Sequence, residues 1–261
     1  MNSLRLKKFD PSKIGNDKVC LFIGKRGTGK STLVTDIMYH KKNSIPMGVV
    51  MSATEEGNHY YSKYVPDLFV HGCYNRETLE KVIESQRQKL IRFGRVDPVF
   101  VLLDDCMYDR GFLKDECIRT LFMNGRHWKI FFMLTTQYCM DLPPALRTNV
   151  DYVFCLRENV IQNREKLYKA FFGVFPTFHV FQQVMDACTE NFECLVIDNT
   201  SRSNNLEDCV FYYKAQLRPT FRMGSEAWWS YHSKNYNPKY GLKPVGVPPK
   251  KKGVIVHVKK E

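Results

Sequence analysis

Short apolar runs alternate with longer amphipathic segments along most of the chain, and this alternation predicts the fold class. Seven apolar runs predict buried β-strands, at residues 19–23, 48–52, 99–103, 130–135, 150–156, 193–198 and 209–214. Five segments with apolar residues at helical spacing predict α-helices, at residues 30–40, 76–93, 112–124, 161–172 and 176–189. Fully apolar strands that alternate with helices indicate an α/β fold, in which helices cover both faces of a mainly parallel sheet.

The rest of the chain divides into a predicted loop and a tail. Residues 54–74 are rich in Tyr, Gly, Asn and Pro and predict a loop with short pieces of order. The last two strands could form a hairpin. Composition changes near residue 216, so we expect one domain over 1–215 and a basic tail over 216–261, aromatic at first and then rich in lysine and proline.

The end of this tail is strongly basic. Residues 234–261 contain eight lysines and one glutamate, a net charge of 8 − 1 = +7, and are expected to be flexible. They could bind DNA, dock on an acidic capsid protein, or only aid solubility. Trp228 and Trp229 are expected to pack the tail onto the core, with base stacking as the alternative.

Overall charge and cysteine usage narrow the function classes. The formal net charge of +12 over 261 residues suits a polyanion such as nucleic acid, although a solvated basic surface without a dedicated partner explains it equally well. No apolar run is long enough to span a membrane, and no signal-peptide core is visible, so we expect a cytosol-like compartment. The nine cysteines occur singly and the histidines lack ligand spacing, which argues against a zinc or redox site.

The sequence GKRGTGKST, residues 24–32, matches the phosphate-binding P-loop pattern and lies between a predicted strand and a predicted helix. Its backbone amides and the start of the helix predict an anion site for the phosphates of ATP. Lys30 is expected to reach the β- and γ-phosphates, and Ser31 to ligate Mg²⁺. The predicted nucleotide-binding residues are Gly24, Lys25, Arg26, Gly27, Thr28, Gly29, Lys30, Ser31 and Thr32. A glycine-rich turn that binds nothing is the alternative.

Polar residues after two later strands predict the hydrolytic groups. The run at 99–103 ends in Asp104 and Asp105, the arrangement of a Walker B motif. Asp104 is expected to hold Mg²⁺, and Asp105 to act as the general base on the attacking water. Gln137 follows the strand at 130–135 and is expected to orient water or sense the γ-phosphate. Acidic and polar strand ends without catalytic roles are the alternatives.

Several arginines could contact the γ-phosphate of a neighbouring subunit, because a guanidinium offsets charge in the transition state. The candidates are Arg126, Arg147, Arg157 and Arg164. An arginine in such a position is more often an ordinary surface or salt-bridge residue, which is the alternative for each.

Taken together, the segments GKRGTGKST, VLLDDC, GRHWKIFFMLTTQ and LPPALRTNVDYVF resemble the FtsK/HerA branch of P-loop ATPases, and most closely the DNA-packaging ATPases of nucleocytoplasmic large DNA viruses. The resemblance covers residues 15–215. It implies a RecA-like core, a ring oligomer with ATP at the subunit interfaces, and a motor that translocates double-stranded viral DNA into a capsid. It also implies residence in the host cytoplasm or the virion, with capsid or membrane-associated virion proteins as further partners.

The comparison with this family bears on the general base and on the arginine finger. Bacterial FtsK-type motors have glutamate where this chain has Asp105, which is one methylene shorter, and this difference puts the general-base assignment in question. The family's arginine finger falls nearest to Arg164, with Arg147 as the second choice. Both arginines are therefore candidate catalytic residues alongside Lys30, Asp105 and Gln137.

Two other functions compete with the motor. A P-loop kinase of a small molecule would usually carry an arginine-rich lid and would not need the Asp-Asp pair followed by Gln137. A nucleotide-binding virion scaffold would leave Asp105 catalytically idle. ATP turnover with and without double-stranded DNA separates the three.

Overall fold

The computed structural model describes residues 4–106, 111–138, 140 and 142–238. Nine strands are described: β1 Lys7–Lys8, β2 Val19–Ile23, β3 Met47–Ser52, β4 Val70–His71, β5 Val99–Asp104, β6 Ile130–Thr136, β7 Tyr152–Cys155, β8 Glu193–Asp198 and β9 Val210–Lys214. The α-helices of this part are α1 Lys30–Lys41, α2 Glu55–Asn58, α3 Arg76–Phe93, α4 Glu116–Asn124, α5 Pro144–Arg147, α6 Ile161–Phe171, α7 Phe178–Cys188, α8 Leu206–Cys209 and α9 Glu226–Asn235.

The strands form one sheet in the order β1-β9-β8-β7-β2-β6-β5-β3-β4. The strands from β7 through β2, β6, β5 and β3 to β4 pair in parallel, and β8 is antiparallel to both of its neighbours. The predicted α/β class with a mainly parallel sheet is confirmed, and the last two predicted strands are adjacent and antiparallel. Because β2 lies between β6 and β7, the residues that follow all three strands meet at one edge of the sheet.

Helices cover both faces of the sheet, which explains why the central strands are apolar throughout. Successive residues of β2 enter two different cores, with Leu21 in one and Phe22 in the other. Helices α3, α4, α6 and α7 pack on the first face, and α1, residues 61–65 and α9 on the second. None of the helices described is long and apolar enough to cross a membrane.

Local capping explains where the helices differ from the predicted spans. The segment predicted as one helix at 112–124 is a short 3₁₀ turn followed by α4, because Asp115 caps α4 by accepting a hydrogen bond from the Cys117 amide at 2.8 Å. The predicted loop at 54–74 contains α2 and the edge strand β4.

Residues 216–238 extend the core beyond the boundary predicted at residue 215. Phe221, Met223 and Trp228 are buried in the second core, and α9 begins at a Ser225 cap that accepts from the Trp228 amide at 3.3 Å. Composition alone did not reveal this helix, because its burial depends on one face of a polar segment. Most of the lysine-rich tail, residues 239–261, lies outside the described residues, so its predicted flexibility stays a prediction.

Candidate nucleotide-binding and hydrolysis site

The P-loop connects the end of β2 to the start of α1, and its glycines permit its shape. A Cβ atom on Gly24 would lie 2.7 Å from Thr28 Oγ1 and 2.9 Å from Leu156 Cβ, so no larger residue fits there. Gly27 and Gly29 have φ angles of 80° and 96°, in the left-handed region that favours glycine. The glycines of this segment therefore allow the backbone to form a tight loop.

Lys30 lies buried within this loop. Its Nζ donates to the Gly24 carbonyl at 2.5 Å and lies 3.4 Å from the Lys25 carbonyl. Burial lowers the pKa of Lys30, while the charges of Asp105 and Asp104 oppose that shift. The loop's own carbonyls therefore hold the ammonium group where an incoming phosphate can replace them as its partner.

Ser31 and Thr32 occupy the first turn of α1, behind Lys30. The first amides of a helix have no intrahelical acceptor, and the helix dipole adds positive potential at the same end. The Leu33 amide makes the first helical bond, to the Gly29 carbonyl at 3.0 Å. The amides before Leu33 therefore lie where the sequence predicts an anion site, and the binding itself stays a prediction.

Asp104 ends β5 and is held by hydroxyl groups from both neighbouring strands. Ser52 donates to Asp104 Oδ2 at 3.2 Å, and Thr135 donates to Oδ1 at 2.7 Å. Burial raises the pKa of Asp104 and the charge of Asp105 raises it further, against the hydroxyl groups that lower it. A bound cation would favour the ionised form, so this carboxylate suits the Mg²⁺ that a nucleotide carries to its site.

Tyr61 is a site residue that the sequence did not reveal. Its side chain is 1% exposed, and its hydroxyl lies beside Asp104 and Ser31 without a hydrogen bond of normal geometry to any described residue. Burial raises the pKa of Tyr61, and the neighbouring Asp104 carboxylate raises it further, with the Ser31 hydroxyl acting in the opposite direction. Two residues predicted to hold Mg²⁺ therefore flank an unpaired phenol from a segment predicted only as a loop.

Gln137 and Asp105 come together at the ends of adjacent strands. Gln137 Nε2 donates to Asp105 Oδ1 at 3.3 Å. Asp105 has a φ angle of 51°, and its amide donates to Thr135 Oγ1 at 3.0 Å. Thr135 therefore fixes the backbone of Asp105 and the carboxylate of Asp104 at once, so β6 helps to position both acids.

The two candidate finger arginines do not contact the P-loop in the described chain. The Arg164 guanidinium already has two partners, because it donates to the Glu158 carbonyl at 2.5 Å and pairs with Asp186 at 2.7 Å. Arg147 lies near the Phe171 ring, and its buried Nε has no partner among the described residues. Their predicted action on a neighbouring subunit stays a prediction, and Arg164 would have to leave Asp186 to act.

Glu158 is a second residue absent from the predicted set. It is 7% exposed and accepts from Lys25 Nζ at 2.5 Å and from the Val160 amide at 2.8 Å. These bonds anchor the outer arm of the P-loop to the segment after β7. The sequence offered no motif for Glu158, because its role depends on β7 pairing directly with β2.

The fold resembles those of solved packaging enzymes. The genome packaging NTPase B204 from Sulfolobus turreted icosahedral virus 2, in complex with AMP, matches with a TM-score of 0.56 at 16% identity over 78% of this chain and 100% of that chain. The same enzyme in complex with ATP-gammaS gives a TM-score of 0.54 at 16% identity, with the same coverage.

Viral relatives are much more similar in sequence. An uncharacterized protein of Acanthamoeba polyphaga mimivirus is 37% identical over 92% of this chain and 87% of its own length. One from Invertebrate iridescent virus 6 is 36% identical over 87% of this chain and 89% of its own length. The family model described as Poxvirus A32 protein matches residues 6–210. The chain, with its P-loop and paired acids at one sheet edge, therefore belongs to the poxvirus A32 protein family.

Proposed function

We propose that this chain is the ATP-driven motor that packages viral double-stranded DNA into a capsid. It is a viral DNA-packaging ATPase, and one observation carries the proposal. Beside a P-loop, the ends of β5 and β6 bring Asp105 within hydrogen-bond distance of Gln137. Thr135 accepts from the Asp105 amide and donates to the Asp104 carboxylate, so it positions both acids. A nucleotide-binding scaffold would have no need for this arrangement.

The residues divide the binding of Mg²⁺-ATP among them. The P-loop amides and Lys30 bind the phosphates, and the Ser31 hydroxyl and Asp104 would hold the metal ion. Mg²⁺ supplies charge neutralisation on the phosphate oxygens when it is bound. Ser52 and Thr135 orient the Asp104 carboxylate, so that it faces the nucleotide without rearranging.

Asp105 and Gln137 would act on the attacking water. The Asp105 carboxylate accepts a proton from the water as it attacks the γ-phosphorus, while the bond from that phosphorus to the β,γ-bridging oxygen breaks and ADP leaves. The Gln137 amide orients the same water. Asp105 is shorter than the glutamate of the bacterial motors. Its left-handed backbone, bonded to Thr135, sets the direction of this shorter side chain.

The partners follow from charge and from the position of the candidate arginines. A net charge of +12 favours sequence-independent contacts to DNA phosphates, with an affinity that falls as salt rises. A finger arginine would complete the site from the next subunit of a ring. We place the motor in the host cytoplasm or the virion, with capsid proteins as further partners.

ATP turnover with and without double-stranded DNA tests the proposal. DNA-stimulated hydrolysis that Lys30→Ala abolishes is the expected result, with Lys81→Ala on the exposed face of α3 as a control that keeps turnover. Phosphorylation of an acceptor in place of hydrolysis would indicate a kinase. Nucleotide binding without any turnover would indicate a scaffold, and either outcome refutes the motor.

A mixing experiment tests whether a finger acts between subunits. Arg164→Ala subunits and Lys30→Ala subunits should each be inactive, and mixed rings should regain turnover at interfaces that combine an intact P-loop with an intact arginine. If assembled rings of Arg164→Ala and of Arg147→Ala both hydrolyse ATP at the wild-type rate, neither residue is the finger.

A further inference from the structure

A pocket of about 330 Å³ opens directly beside the P-loop, and its lining includes neither Asp104 nor Gln137. The P-loop itself forms one wall, and the end of β7 and the turn between α7 and β8 form the other. Arg26, Gly27, Thr28, Arg157, Asn191 and Phe192 are among its lining residues. Its volume lies at the small end of the range of roughly 300–1,000 Å³ for ligand pockets, which suits part of a ligand.

Phe192 is the unusual residue of this pocket. It is 66% exposed, and both it and Asn191 have positive φ angles, of 65° and 50°. A Cβ atom on Gly29 would lie 3.2 Å from Phe192 Cδ1, so the ring rests against the P-loop backbone. Left-handed backbone at a bulky residue is strained, and a ring that is mostly exposed gains little by burial in return. Folding alone therefore does not explain why a phenyl ring is held here.

The pocket also contains two arginines whose side chains are not engaged by other described residues. Arg26 and Arg157 are exposed, and no hydrogen bond or ion pair engages either side chain within the described part of the chain. Lys25, next to Arg26, is by contrast paired with Glu158. A guanidinium group can bind phosphate or a ribose hydroxyl, and can also stack on a planar ring.

We propose that this pocket binds the nucleoside part of the nucleotide, with the base stacked on Phe192 and with Arg26 and Arg157 contacting the ribose and the α-phosphate. The inference rests on the proposed ATPase function. Gly27 and Thr28 belong to both the P-loop and the pocket, so a ligand whose phosphates fill the loop can extend into the pocket without a break. Asp104, Asp105 and Gln137, which are proposed to act at the γ-phosphate end, do not line this pocket.

Calorimetric titration of the full chain with two ligands tests this subsite. ATPγS carries phosphates and a nucleoside, whereas inorganic tripolyphosphate carries phosphates alone. Stacking of a base on an aromatic side chain corresponds to a loss of about 5- to 140-fold in affinity on replacement by alanine. Phe192→Ala should therefore lower the affinity for ATPγS by that factor and leave the affinity for tripolyphosphate unchanged. Phe93→Ala, which removes a ring that is 70% exposed on α3, should change neither.

A second variant separates a ligand role from a structural role. Phe192→Gly removes the same ring and also relieves the left-handed backbone, so the protein should unfold at a higher denaturant concentration than Phe192→Ala while binding ATPγS as weakly. Unchanged affinity of Phe192→Ala for ATPγS, or an equal loss for both ligands, overturns the subsite. If the wild-type chain binds neither ATPγS nor tripolyphosphate, the proposed ATPase function is overturned instead.

Discussion

Replacing Arg218 with alanine should destabilise the whole domain, because Arg218 neutralises a carboxylate inside the P-loop helix. Asp36 of α1 is fully buried, and Arg218 Nε donates to its Oδ1 at 2.6 Å. Tyr213 also donates to Asp36 at 2.5 Å, and the Gln216 amide does so at 3.0 Å. This network joins the P-loop helix to β9 and the segment beyond it.

The expected loss follows from what remains after the substitution. Removing one partner of a buried ion pair costs about 3–5 kcal/mol when the other charge is left without compensation. Asp36 keeps two donors, which reduces the loss, whereas the contact of Arg218 with the Tyr39 ring at 4.4 Å adds to it. We expect Arg218→Ala to lower the free energy of unfolding by about 2–4 kcal/mol near neutral pH.

The loss should depend on pH through His40. Burial lowers the pKa of His40 below 6.5, Asp36 and Asp10 oppose that shift, and Arg218 and Lys41 add to it. In the wild-type chain the unfolded state takes up the proton first, so stability falls as the pH drops through 6.5. Without Arg218 the pKa of His40 rises toward that of the unfolded chain, and this acid loss becomes smaller.

Urea unfolding of the full chain at pH 7.5 and pH 5.5 measures both effects. The difference in unfolding free energy between wild type and Arg218→Ala should be smaller at pH 5.5 than at pH 7.5. When His40 is replaced in both proteins, this difference should be the same at the two pH values. Arg87→Ala is the control, because Arg87 faces Glu84 on the exposed side of α3 and should change stability by less than about 1 kcal/mol. An Arg218→Ala loss as small as this control, or a gap that widens in acid, would refute the reasoning.

The remaining predictions concern the site and the tail. Asp105→Asn should keep ATP binding and lose about 10²- to 10⁴-fold in turnover, as measured by phosphate release; wild-type turnover would place the base elsewhere. Tyr61→Phe should leave the unliganded protein as stable or more stable, since the lost hydroxyl has no partner, while Mg²⁺-dependent ATPγS binding in calorimetry weakens several-fold; unchanged binding would make the hydroxyl idle. Deleting residues 239–261 should leave DNA-independent turnover intact and flatten the salt dependence of DNA affinity; an unchanged salt titration would exclude a role in DNA binding.

The sequence predicted those parts of the site that depend on short stretches of chain. The P-loop is contiguous, so the motif itself identifies the glycines, the lysine and the hydroxyl residues of the predicted phosphate site. Asp104 and Gln137 were predictable because each follows an apolar strand, and the ends of parallel strands meet at one sheet edge. The same apolar runs predicted the fold class, the four motif segments predicted the family, and both predictions are confirmed.

Other features depend on which strands are neighbours, and local patterns do not specify this. Thr135 bonds to Asp104 only because β6 lies beside β5, and Glu158 anchors Lys25 only because β7 lies beside β2. Helix α9 escaped prediction for a related reason. Its apolar side chains are few, and its buried residue, Trp228, packs against Phe69 and Phe100, which are distant in sequence.

The aromatic residues show most clearly why such positions escape a search for motifs. Tyr61 is fully buried near Ser31 and Asp104, and Phe192 is mostly exposed beside Gly29. Packing alone explains neither the Tyr61 hydroxyl nor the Phe192 ring. A buried phenol without a partner costs free energy, and so does an exposed ring on a left-handed backbone. Because both costs fall beside the same loop, a ligand in that loop is the simplest common reason for retaining them.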